Sequence, residues 1–183
     1  ETLAQEWDDR QPSDREEVLH RLLVPFKTLI EDSNTLLEVG TGTGALIPIL
    51  NKLAPNANLV SVDLATAMLL RAGQRCPSAL LIQADVYSLP LPPGHFDFVI
   101  CHNSYAHFVH KDKALSELWN LLSPGSHLLI LHDISREHVN QVHQCARESI
   151  IHNDLLPAAA ETKRLMANAG FVKLHTWDTD DRY

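Results

Sequence analysis

The chain has 183 residues, enough for one domain with a sizeable core, and 45% hydrophobic with 21% charged residues is an ordinary globular balance. A formal net charge of −8 and the lack of any basic block argue against a nucleic acid or an anionic membrane as an electrostatic partner. No apolar run approaches the roughly 20 residues that span a bilayer, and Cys76, Cys101 and Cys145 form no CxxC pair, so reduced thiols and a cytoplasmic setting are expected.

Ser13-Asp14-Arg15-Glu16 reads as a capping box, after which Val18, Leu22, Phe26 and Leu29 recur at helical spacing. Pro25 is expected to kink or end that helix. Short apolar runs then follow at 35–39, 59–62, 80–84, 96–101 and 128–131. Runs of this kind are buried parallel strands, apolar throughout because helices cover both faces. Helical stretches at 45–53, 65–75 and 111–122 fall among them. A further helix is expected over 136–151, and after Pro157 another over 158–169, closed by Gly170. The run 171–177 reads as a sixth strand, 178–181 as a turn, and Arg182-Tyr183 as the start of a seventh strand. The alternation predicts an α/β fold: a Rossmann-like, doubly wound, mostly parallel sheet of six to seven strands with helices on both faces.

The densest chemical signal is Leu36-Leu37-Glu38-Val39-Gly40-Thr41-Gly42-Thr43-Gly44. It is a strand, an acid, glycines at alternate positions, and then a helix. Glycine lets the backbone turn sharply and meet a ligand without a Cβ in the way. Gly40-x-Gly42-x-x-Ala45 also fits the loose dinucleotide fingerprint, so an NAD-dependent oxidoreductase is one alternative. Asp63 ends the second strand and Asp85 the third. Asp63 is placed to accept from a ribose diol, which either reading uses; Asp85 is left unexplained by the oxidoreductase.

The spacing Glu38-x-Gly40-x-Gly42-x-Gly44 resembles motif I of the class I methyltransferases. Val60-Ser61-Val62-Asp63, Gln83-Ala84-Asp85-Val86, Gly94-His95-Phe96-Asp97-Phe98-Val99-Ile100 and Leu121-Leu122-Ser123-Pro124-Gly125-Ser126 follow in that family's order over roughly residues 35–132. The resemblance implies S-adenosyl-L-methionine as cofactor and a small-molecule methyl acceptor. Carried over by position, Glu38 orients the methionine end, with Gly40, Thr41, Gly42 and Gly44 forming the loop beneath it. Asp63 holds the ribose, Leu64 and Met68 pack near the adenosine, Asp85 and Val86 read the adenine, and His102 lies with Asn103 beside the sulfonium. Asn103 is followed by Ser104-Tyr105-Ala106 and does not begin an NPPY motif, which disfavours amino methylation of nucleic acid bases or glutamine side chains. Residues 1–34 are then an N-terminal helical cap over the substrate site, with Trp7 as part of the lid. Residues 35–183 are the catalytic domain, with a helical insertion at about 135–157. A non-catalytic cofactor- or metal-binding protein of the same fold is a further alternative.

Nine of the 11 histidines fall between His95 and His152. His102 and His107 follow the fourth strand and His132 ends the fifth, where open α/β sheets bind ligands. His143 sits about 60° from the centre of the apolar stripe Val139, Val142, Ala146 and Ile150. His107, His143 and His132 are the catalytic candidates. General base, metal ligand and pocket wall are all open to them, and no compact metal-ligand spacing is present. The stretch from His132 to His143 with Asn153-Asp154-Leu155-Leu156-Pro157, like the Ala106-His107-Phe108 loop, resembles a subgroup of small microbial methyltransferases, which implies no particular substrate.

Overall fold

The structure is a computed structural model that describes residues 14–145, 151–179 and 183. Ser13, Trp7 and the 146–151 end of the expected insertion helix lie outside the described residues, save Ile151 itself. Asp14 stands at the N-cap of the first helix without a side-chain cap bond.

Five parallel strands form one sheet in the order β3-β2-β1-β4-β5. They are β1 (Thr35–Val39), β2 (Asn58–Asp63), β3 (Leu80–Gln83), β4 (Phe96–His102) and β5 (Leu122–Leu131). The helices are α1 (Arg15–Leu23), α2 (Lys27–Glu31), α3 (Ile47–Leu53), α4 (Thr66–Arg75), α5 (Lys111–Leu121), α6 (Arg136–Cys145) and α7 (Ala159–Ala169). Pro25 does end α1: a 3-10 turn over Val24–Phe26 separates it from α2.

Alternation along the central strands sends neighbours to opposite faces. Leu36, Phe98, Ile100, Leu129 and Leu131 face one core with Leu19, Leu22 and Leu23 of α1, Ile30 of α2 and Ile49 and Leu50 of α3. Leu37, Val39, Val99 and Cys101 face the other, with Ala114, Leu115 and Leu118 of α5 and Leu165 and Met166 of α7. This two-sided burial is why the strands read as unbroken apolar runs. The three cysteines are free, and burial pushes the Cys101 thiol up to about 12.

Among the described residues the sheet has five strands, where six to seven were expected. The segment 171–177 joins no ladder and bends at Lys173, which takes φ 52°. Gly170, left-handed at φ 110°, ends α7. Phe171 is buried in the α5–α7 core, whereas Trp177 meets Phe26 on the α1 side edge to face at 5.9 Å. Bent at Lys173 and crossing between the two faces, this segment does not run along the open edge of β5 as a ladder requires. Beyond it, Tyr183 exchanges backbone hydrogen bonds with His132 at 2.7 and 3.5 Å, as the start of a strand laid antiparallel to the end of β5 would. β5 also starts earlier than expected. It begins at Leu122, and the register between Phe96 and Phe98 slips where Pro124 and Gly125 bulge from the strand.

Candidate active site

The candidate residues lie at or just after the carboxyl ends of β1, β2, β3, β4 and β5, except Met68 on α4 and His143 on α6. The glycine loop leaves β1 and is tied at once to β2: the amides of Gly40 and Thr41 both donate to Val62 O, at 2.8 and 3.0 Å. The glycines have different reasons to be there. A Cβ on Gly40 would fall 2.3 Å from Ser104 Cβ, and one on Gly44 3.0 Å from Ala72 of α4. At φ 56°, Gly42 alone of the three has open space where its Cβ would stand. Two of the three glycines therefore let protein approach protein, and the third faces open space.

Glu38 is buried beneath this loop. The hydroxyls of Thr41 and Ser61 both donate to its Oε2, at 2.7 and 2.8 Å. Burial outweighs these bonds and raises its carboxyl to about 7. Asp63 uses both oxygens on backbone: Gly42 N–H donates to Oδ2 and Ala65 N–H to Oδ1, each at 2.8 Å. A carboxylate offers about four acceptor sites, so Asp63 ties the loop and keeps capacity for a ligand. Leu64 next to it is 65% exposed, Met68 is half-buried on α4, and Val86 is buried. Asp85 is exposed and accepts from Tyr87 N–H at 3.0 Å through Oδ1.

The second half of the site begins at Asn103, which takes φ 52° just after β4. Its amide exchanges two hydrogen bonds with Asp133, at 2.9 and 3.2 Å, clamping the end of β4 to the end of β5. Ser104 Oγ–H then donates to Val39 O at 2.7 Å. The 3-10 turn Tyr105–His107 follows, held by Lys111 Nζ donating to Ala106 O and Phe108 O at 3.2 and 2.9 Å. His107 rides on this turn with 36% of its side chain exposed, and its Nδ1 lies 2.8 Å from Asp154 Oδ2. His143 of α6 stacks on His107, with ring centroids 5.1 Å apart and planes 27° apart. Its own Nδ1 bonds the main-chain carbonyl of Asp154. His107 and His143, predicted separately, form one unit around a residue that was not singled out.

His102 and His132 sit deeper. Both are buried, and the Nε2 of each makes no hydrogen bond within the usual distance among the described residues. His102 Nε2 lies 3.7 Å from Asp133 Oδ2. Burial would raise Asp133, but His102, Asn103 and the charge of Arg15 hold its carboxyl down to about 2. Burial, reinforced by His102, pushes His132 down to about 3. A group that stays neutral to that pH is a weak proton acceptor at neutrality. This argues against the base role for His132. No group of three or more His, Cys, Asp or Glu among the described residues is arranged to hold a metal ion.

A family model described as "Methyltransferase domain" matches residues 37–130, from β1 to the end of β5. This chain belongs to the class I methyltransferase family. The demethylmenaquinone methyltransferase of Thermus thermophilus is 37% identical over 100 residues, covering 52% of this chain and 46% of that protein. The chain thus spans about half the length of the curated relatives it matches. Among solved structures, a SAM-dependent methyltransferase of Aquifex aeolicus superposes with TM-score 0.71 at 20% identity, over 92% of this chain and 87% of that one. The plantazolicin methyltransferase BpumL, solved with SAH, gives 0.69 at 17%, over 91% and 68%. The methyltransferase match runs through Asp85 and β5, which the oxidoreductase alternative left unexplained, and that alternative is set aside. Asp154, Asn140 and α6 lie beyond residue 130, outside the matched span.

Proposed function

We propose that this chain binds S-adenosylmethionine at the glycine loop and methylates a small-molecule acceptor whose proton is taken by His107. The observation that carries the proposal is the seam between Gly40 and Ser104, which joins the cofactor loop to the turn bearing His107.

The residues present fit the cofactor. Gly42 faces open space where its Cβ would stand, and Asp63 and Asp85 keep free acceptor capacity at neighbouring strand ends for a ribose diol and an exocyclic amine. Leu64, largely exposed, and Met68 offer apolar surface to a nucleoside between them. Glu38 faces the methionine end and His102 the sulfonium side. When bound, the cofactor supplies a methyl group on an activated leaving group. The protein's own work is alignment and proton removal.

Asp154 accepts from His107 Nδ1–H, which leaves Nε2 as the nitrogen that takes the acceptor's proton. His143 stacks behind it and holds Asp154 from the other side. His132 and His102 form the buried wall. The cap role assigned to the N-terminal segment is supported, within its described residues 14–34, by Arg15, whose charge reaches Asp133. The net charge of −8 supports a small acceptor in preference to a polyanion. The Thermus relative is named for demethylmenaquinone, so quinone headgroup compounds are the first members of an acceptor panel.

Calorimetric titration with S-adenosylmethionine and with NADH tests the cofactor. S-adenosylmethionine is expected to bind and NADH not to; the reverse overturns the proposal. Asp63→Ala is expected to weaken cofactor binding about 10- to 100-fold, the cost of losing charge-assisted bonds to two hydroxyls. An unchanged dissociation constant would mean that the ribose lies elsewhere.

A further inference from the structure

We infer that Asn140 is a positioning residue, which holds the chain at 154–156 on α6 so that Asp154 fixes the protonation pattern of two imidazoles at once. Asn140 treats Leu156 as a neighbouring strand would. Its Nδ2–H donates to Leu156 O at 3.0 Å, and its Oδ1 accepts from Leu156 N–H at 2.8 Å. Both backbone groups of Leu156 are thereby satisfied by one side chain 16 residues away. Leu156 itself is buried, which seats the segment.

Two residues before Leu156, Asp154 presents its side chain to His107 and its main chain to His143. A carbonyl oxygen only accepts, so His143 must carry its proton on Nδ1. An ionised carboxylate also only accepts, so His107 does the same. Each neutral ring therefore has a bare Nε2. In an imidazole the Nε2 lone pair points about 144° away from the Nδ1–H bond, a consequence of five-ring geometry, so both lone pairs look away from Asp154. The rings are stacked, which places two proton acceptors side by side. Lys111 of α5 interacts with Asp154 through charge, and Asp154 N–H donates to Ile151 O at 2.9 Å, but the side-chain bonds that seat Leu156 come from α6 through Asn140.

Asn140 touches neither ring in these contacts and acts through Leu156 and Asp154. The consequence for turnover rests on the methyl-transfer reading, whereas the protonation pattern does not. The test uses the full chain with 15N-labelled histidine. Long-range 1H–15N spectra are recorded at about pH 8.5, where ordinary imidazoles are neutral. Signals are assigned with His107→Gln and His143→Gln.

In the unaltered chain both rings are expected as the Nδ1–H tautomer, and Nε2–H on either ring overturns the inference without recourse to any variant. Asn140→Ala is expected to release both rings into a mixture of tautomers. Asp154→Ala is expected to release His107 alone, because the main-chain carbonyl that holds His143 survives. Two fixed rings in Asn140→Ala overturn the inference. Asn140→Ala is also expected to lower kcat about 10- to 100-fold, the usual range when an outer partner of a functional histidine is lost, with the dissociation constant for S-adenosylmethionine unchanged. Released tautomers with full kcat would remove the positioning role. Absence of S-adenosylmethionine binding in the unaltered chain would sink the methyl-transfer reading instead, and the spectra would still decide the tautomers.

Discussion

Single residues at this site carry opposite pH dependences. Burial raises Glu38 from 4.5 to about 7, a penalty of about 3 kcal/mol on its ionised form. An acid raised in this way keeps its proton longer when folded. Its contribution is full below 4.5 and lost as pH climbs through about 7. Glu38→Gln preserves an acceptor for Thr41 and Ser61 and is expected to raise Tm at pH 8 relative to pH 5. An unaltered pH slope in thermal melts would show that Glu38 is not the source. His132 works the other way: it stays neutral when folded and takes a proton near 6.5 when unfolded, so stability is lost as pH falls from 6.5 towards about 3. His132→Gln is expected to flatten that acid limb, measured as Tm between pH 4 and 7. The glycines separate by substitution too. Gly42→Ala meets no neighbour and is expected to cost about 1 kcal/mol for its positive φ, with cofactor affinity falling more than stability. Gly40→Ala must displace Ser104 and is expected to lose activity along with at least about 2 kcal/mol in denaturant unfolding.

At the scale of elements, the sequence reads well wherever local pattern decides the outcome. β1 is predicted to the residue, and β2, β3 and β4 to within one or two, because each is an apolar run buried on both faces. The start of β5 is missed because Pro124-Gly125 looks like a turn and proves to be a bulge inside the strand. The run 171–177 has the composition of a strand, but pairing is a property of two segments and composition describes only one. The same limit hides Asp154. Its partner His107 is 47 residues away, and no spacing rule joins a loop acid to a histidine on another turn. The signal that was legible is the stretch His132 to His143 followed by Asp154, whose members the fold brings together. Asp154→Ala is expected to lower kcat about 10- to 100-fold with cofactor affinity unchanged, measured by steady-state kinetics and calorimetry.

Across the whole molecule, the sheet divides the labour. β1, β2 and β3 present acids with spare acceptor capacity, whereas β4 and β5 present imidazoles. The division follows from the strand order, since the chain leaves β1 in one direction for β2 and β3 and returns on its other side for β4 and β5. Doubly wound sheets bind ligands at this reversal. Five ordered motifs over residues 35–132 sufficed to find it in the sequence, whereas the arrangement of the imidazoles depends on α6 and the chain after it. The Gly40–Ser104 contact spans that reversal, with Val39 O accepting from Ser104 on the β1 side. The two halves of the proposed site are therefore in direct contact at this point. On the proposed methyl transfer, donor and acceptor sites meet at this one seam, so Ser104→Ala, which removes the bond to Val39 O, is expected to reduce the reciprocal coupling between the two ligands, measured by titrating each in the presence of the other.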